Sequence, residues 1–234
     1  MKKVKEENDL TANNEQNQSS QNDMRTRLLT KIIPIIRKNG FQSIRMDDMA
    51  KYMDVSKATM YKYFTSKEDV IQGSVNSFVD YLNELVVESN NTVESFTKGF
   101  QQLFEQSILL AAYISDVFLN ELQIMYPYLH DQLRDAMQRR EEKMTVFYEE
   151  GKEKGIFNTV NEKLIFLQDD VLVRSMIDAK FLMLNGLTLH QLLLDYYRLK
   201  KLQLFKADHA EQVDDNHMVN QLDYISKKLT RDLF

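Results

Sequence analysis

Between Lys57 and Lys67 the chain reads KATMYKYFTSK, so ammonium, hydroxyl and phenol groups stand close together with no carboxylate among them. Such groups offer charge and hydrogen bonds to phosphate oxygens and base edges. Net charge is −5 overall, yet residues 25–70 hold ten basic against five acidic residues, and residues 71–234 hold seventeen against twenty-five. A basic block on an acidic body is the footprint of a localised polyanion-binding face. Clustering on a solvated helix surface would give the same counts, and charge alone leaves both readings open.

Other chemistries find no support in residue type or spacing. The absence of Cys excludes a disulfide framework, a Cys-based zinc site, an iron–sulfur cluster and a thiol nucleophile. His130, His190, His209 and His217 form neither HExxH nor a close pair, and no GxGxxG, Walker A or GxSxG run exists. Glu141–Glu142, Glu149–Glu150 and Asp169–Asp170 are adjacent in sequence, so their side chains leave a helix on different faces. The expectation is no catalytic residue, no metal and no cofactor: not an enzyme. The start, MKKVKEENDLTANNEQ, is basic but has no apolar segment behind it, and no apolar run approaches the ~20 residues of a membrane span. A cytoplasmic protein without a membrane partner is expected.

The elements that must position the basic block are helices. Only 6 Gly and 2 Pro disfavour the many turns of a sheet protein, so an all-α fold is predicted. Residues 1–23 are polar and predict a disordered tail. From Met24, Leu28, Leu29, Ile32, Ile33 and Ile36 line one helix face, Asn39-Gly40 stops the helix, and Pro34 predicts a kink or a late start. A short helix over Met46–Met53, a tight turn at Asp54-Val55, and a third helix over Lys57–Phe64 capped by Ser56 follow. Ser66, with Asp69 three residues on, caps a fourth helix over Lys67–Val87. Beyond Asn90-Asn91, helices are predicted near 92–112, 115–126, 128–153, 161–185 and 188–206. After a polar gap at 208–216, Met218, Leu222, Ile225 and Leu229 mark a last amphipathic helix. Met49, Ala50, Val55, Met60 and Phe64 would pack the two short helices together as a helix-turn-helix. The second could then enter a major groove about 12 Å wide while the first braces it.

The run VSKATMYKYFTSKED resembles the DNA-binding signature of TetR-family transcriptional repressors, approximately V-S-x-[GAP]-[TS]-[LMF]-Y-x-[YH]-F-x-[SN]-K-[ED]. Val55, Ser56, Ala58, Thr59, Met60, Tyr61, Tyr63, Phe64, Ser66, Lys67 and Glu68 match it, and MDDMA is similar to the bracing helix. The resemblance spans residues 26–73. Arg45 stands where the family has a capping Thr or Ser, and Asp54 where it has Gly, although Asp tolerates left-handed backbone. The resemblance implies that Tyr61 and Lys67 contact phosphates, that Lys57, Ala58, Thr59 and Lys62 face the groove, and that Arg45 adds a cation on the DNA side. It implies a homodimer on a palindromic double-stranded operator, released by a small-molecule effector. Residues 24–72 would form the helix-turn-helix DNA-binding domain and 73–234 a helical ligand-binding and dimerisation domain. A second reading keeps the DNA binding but lets the body only dimerise or bind a protein partner.

The body is rich in aromatic residues and Met, which suit irregular apolar pockets. Phe100, Phe104, Tyr113, Phe118, Met125, Phe147 and Met176 are candidates for an apolar or amphipathic effector, with Arg174 as a contact for an effector carboxylate. Asp170, Arg174 and Asp178 recur at i, i+4, i+8 and predict an ion-pair row on one helix face. The last two long helices are the family's usual dimer interface. The fourth helix is the continuous element joining basic head to acidic body, so its tilt is the expected route of coupling.

Overall fold

The computed structural model describes residues 2–85 and 92–233. Its helices are α1 (Lys2–Asn39), α2 (Met46–Tyr52), α3 (Lys57–Tyr61), α4 (Lys67–Asn83), α5 (Val93–Tyr113), α6 (Asp116–Met125), α7 (Pro127–Glu153), α8 (Glu162–Met176), α9 (Ala179–Asn185), α10 (Leu189–Leu204), α11 (Ala207–Ala210) and α12 (Asn216–Leu233). The only strand-type pairing among the described residues is an isolated bridge between Phe157 and Phe205. The all-α expectation therefore holds.

Several boundaries differ from the sequence reading. α1 extends back to Lys2, through the stretch expected to be disordered. That stretch contains no Gly or Pro to stop a helix, and its residues 20–23 are exposed. The helix also runs on through Pro34. The bond lost there is to the carbonyl of Thr30, an exposed residue, where water can replace it. α4 ends at Asn83, and the expected break at Asn90-Asn91 lies outside the described residues. The single helix expected over 161–185 is two. Asp178 leaves the helical conformation and accepts the Phe181 N–H at 2.8 Å, capping α9. The predicted row Asp170–Arg174–Asp178 is broken there, and Arg174 pairs with Asp170 and Asp116 instead.

Two apolar cores share α7. The amino-terminal core joins Leu28, Ile32, Met49, Met60, Phe64 and Val70 to Phe118, Leu122, Leu129 and Leu133 of α6 and α7. The second packs Phe100, Phe104, Phe147, Tyr197, Phe205 and Leu222 from α5, α7, α10 and α12, with Phe205 between α10 and α11. No single helix among the described residues is long and apolar enough to cross a membrane.

Candidate functional site

The helix-turn-helix is built from short-range hydrogen bonds and a buried seam. Met49, Met53, Met60 and Phe64 are fully buried, fixing which face of each short helix looks inward. Between α2 and α3, the Val55 N–H reaches the Ala50 carbonyl at 3.0 Å, and Asp54 takes φ 58°, the left-handed turn otherwise left to Gly. Ser56 caps α3, accepting the Thr59 N–H at 3.0 Å, and its hydroxyl lies 2.8 Å from that of Thr59. Arg45 occupies the cap position of α2 without a side-chain cap bond, so its guanidinium remains exposed.

The outward face is the one expected. Arg45, Lys57, Ala58, Tyr61 and Lys62 are exposed and Thr59 half-buried. Lys57 is held by Asp47 at the start of α2. Lys67, expected to contact a phosphate, is engaged within the head. It is half-buried, donates to the Gln42 carbonyl at 2.7 Å and stands over the Phe41 ring. Burial holds its pKa below that of an exposed lysine, against the nearby Glu121 carboxylate.

Contacts distant in sequence lock this head together. Arg25 pairs with Asp69 at 2.8 Å, donates to the Tyr63 carbonyl and lies over the Phe64 ring. Burial pushes the Asp69 pKa up, but the Arg25 and Thr65 hydrogen bonds outweigh it, leaving the carboxyl below its usual value. From the body side, Glu121 of α6 accepts the backbone N–H groups of Phe41 and Gln42. No local spacing could reveal Arg25 or Glu121, because their partners are 44 and about 80 positions away.

A cavity of about 1070 Å³ opens in the body, lined by α4, α5, α6, α7 and α8. Of the eight residues expected to bind an effector, only Arg174 lines it. Phe100, Phe104, Phe147 and Met176 are buried in the body core, and Phe118 and Met125 pack with the amino-terminal core. Tyr113 donates its hydroxyl to Asp232 at 2.7 Å. The wall is formed instead by Leu82, Leu110, Ile114, Met137, Met144 and Phe166, with Arg134, Arg140 and Asp169 among its polar groups. Among the described residues no group of three His, Asp or Glu side chains is placed to hold a metal.

Residues 29–73 match the family model of bacterial regulatory proteins of the tetR family. The biofilm operon icaADBC HTH-type negative transcriptional regulator IcaR of Staphylococcus aureus (strain Newman) is 25% identical over 135 residues, covering 55% of this chain and 72% of IcaR. The ketosteroid transcriptional regulator KstR2 of Mycobacterium tuberculosis shares the fold with TM-score 0.54 and 18% identity, over 78% of this chain and 95% of that one. AibR in complex with isovaleryl coenzyme A and operator DNA aligns with TM-score 0.52 and 14% identity, over 75% and 97%. Fold and interface define a DNA-binding helix-turn-helix transcription regulator, and the relatives are regulators rather than enzymes. Residues 29–73 carry the amino-terminal DNA-binding domain of tetR-family regulators.

Proposed function

We propose that the protein is a repressor that binds a palindromic operator as a homodimer and leaves it when a small ligand enters the body. The observation that carries the DNA side is the outward face of α3, whose polar residues stand exposed above a buried Met60 and Phe64 seat. Residues 24–72 act as the DNA-reading domain and 73–234 as the effector-binding and dimerising domain. Lys57, Ala58, Thr59 and Lys62 meet base edges with Arg45 beside them, and Tyr61 and Lys67 meet phosphates. The Lys67 ammonium has three donors, so its bond to Gln42 leaves it able to reach DNA. IcaR, a negative regulator, supports repression.

Exposed Leu164, Leu167 and Val171, at i, i+3 and i+7 on one face of α8, and Leu199 and Leu202 on α10 support a homodimer face, because exposed apolar surface marks an interaction site. The cavity favours ligand release over a body that only dimerises, since it touches both α4, which carries the head, and α6, which caps the head loop. A cytoplasmic location goes with this reading.

Footprinting and gel shifts across a salt series on the promoter beside its gene test this reading. A two-fold symmetric footprint is expected, with log affinity falling linearly against log salt. Thr59→Ala should cost about 1–3 kcal/mol at the operator and little on random DNA. One asymmetric half-site holding a monomer would sink the dimer reading.

A further inference from the structure

Of the charges along the body cavity, Asp169, Asp170 and Arg174 are paired, and Arg134, Glu141 and Glu142 are exposed to water. Arg174 pairs with Asp170 at 2.8 Å and donates to the Ile114 carbonyl at 2.9 Å, so the guanidinium expected to take an effector is engaged. Asp169 is held by the buried Lys200 and by the Tyr196 hydroxyl at 2.7 Å. Arg140 on α7 is different. Its Nε donates to Gln106 Oε1, and a second nitrogen reaches Ser107 Oγ at 2.7 Å and the Leu103 carbonyl at 3.4 Å. Every one of these acceptors is neutral. Gln106 is itself fixed, donating to the Tyr81 carbonyl at 2.8 Å, so its oxygen stays turned to Arg140.

Arg140 therefore lines an open cavity with no carboxylate in ion-pair reach among the described residues. Arginine keeps its proton in a protein, so the charge cannot be shed. A partly buried charge without a counter-ion is costly, and a guanidinium matches the oxygens of an anionic head. Around it the wall is apolar, from Leu110, Ile114, Met137, Met144 and Phe166, and the volume suits a small organic molecule.

We infer that the effector is an amphipathic anion, an apolar chain whose single anionic head sits on the guanidinium of Arg140. This rests on the effector reading above. It moves the charged contact from Arg174, which the sequence suggested, to Arg140, which has no ion-pair partner among the described residues and feels the field of one carboxylate, Asp169, itself already held by Lys200 and Tyr196.

The test uses the full chain with decanoate, decyl sulfate, decanol and decyltrimethylammonium, measuring binding by calorimetry and release from operator DNA by gel shift. Wild type should bind one or both anions and release operator; which anion is preferred identifies the head. Arg140→Gln should weaken anion binding about 10- to 100-fold while decanol binding stays within about twofold, showing an intact cavity. Arg140→Lys should recover part of the loss, and Arg139→Gln, at the exposed neighbour on α7 outside the cavity wall, should change little. Equal binding of decanol and the anions, a preference for the cation, or unchanged anion binding by Arg140→Gln would overturn the inference and leave the effector reading standing. Binding of none of the four would overturn both.

Discussion

At the scale of single residues, the reading face is not idle before DNA arrives. Lys57 is tied to Asp47, and Ser56 and Thr59 share a hydrogen bond, so under the proposed function contacts to bases would displace contacts within the head. That exchange narrows the gain from binding and sharpens discrimination, because a wrong base does not repay what is given up. Asp47→Asn frees Lys57 and removes a negative charge from a surface facing phosphate. Operator affinity should rise by about two- to fivefold at low salt, the size of an exposed ion pair, and the gain should shrink as salt is added. A fluorescence anisotropy titration of both proteins over a salt series checks it. Unchanged or weaker binding would show that Asp47 serves to aim Lys57 rather than to restrain it.

At the scale of elements, the head is fastened to the body twice. α4 joins them through the chain, as expected. α6 joins them across space: Glu121 caps the N–H groups of Phe41 and Gln42, while Phe41 packs on Phe118 at 5.8 Å and on Tyr126 at 5.9 Å between ring centroids. Leu119 and Asn120 on the same helix line the cavity, so a ligand that shifts α6 pulls directly on the loop before α2. Glu121→Ala strands two N–H groups and should lower stability by about 1–3 kcal/mol, read from a denaturant melt. The ratio of operator affinities with and without effector should fall as well. A destabilised variant with the full ratio retained would assign the coupling to α4 alone. The short helices α2 and α3, the Ser56 and Ser66 caps, the Gly40 stop and the Asp54 turn were legible because each depends on neighbours in sequence. The break at Asp178 was hidden because apolar periodicity continues across it. The effector residues were misplaced because an aromatic residue in a core and one on a cavity wall look the same in sequence. Phe104 and Phe166 are separated only by which helices close over them. Arg140 gave no signal, since a missing counter-ion is a property of three dimensions.

At the scale of the whole molecule, α7 runs through both cores, with Leu129, Leu133 and Ala136 in one and Met144, Phe147 and Tyr148 in the other. Head and body therefore cannot turn independently while both cores stay packed, and a ligand-driven change has to slide one core against this shared strut. Such a movement matters on DNA only if two heads are held at a fixed separation. Two recognition helices must sit about 34–36 Å apart, or a multiple, to enter successive grooves on one side of the duplex. A monomer has no such spacing to lose. Under the proposed function, the apolar side chains left open on α8 and α10 would be as necessary to release as the cavity. Leu167 and Leu202, 59% and 65% exposed, can be made charged without disturbing the fold of one chain. Leu167→Glu with Leu202→Glu should leave the helical content unchanged, convert the dimer to a monomer by sedimentation, and weaken operator binding by at least ~10-fold, because each half-site is then bound without help from the other. Effector binding to the monomer should persist while its effect on the remaining DNA binding disappears, since linkage needs two states that differ in their grip on DNA. A double variant that sediments as a dimer would place the interface elsewhere, and a monomer still released by effector would show that the ligand acts within one head rather than on the distance between two.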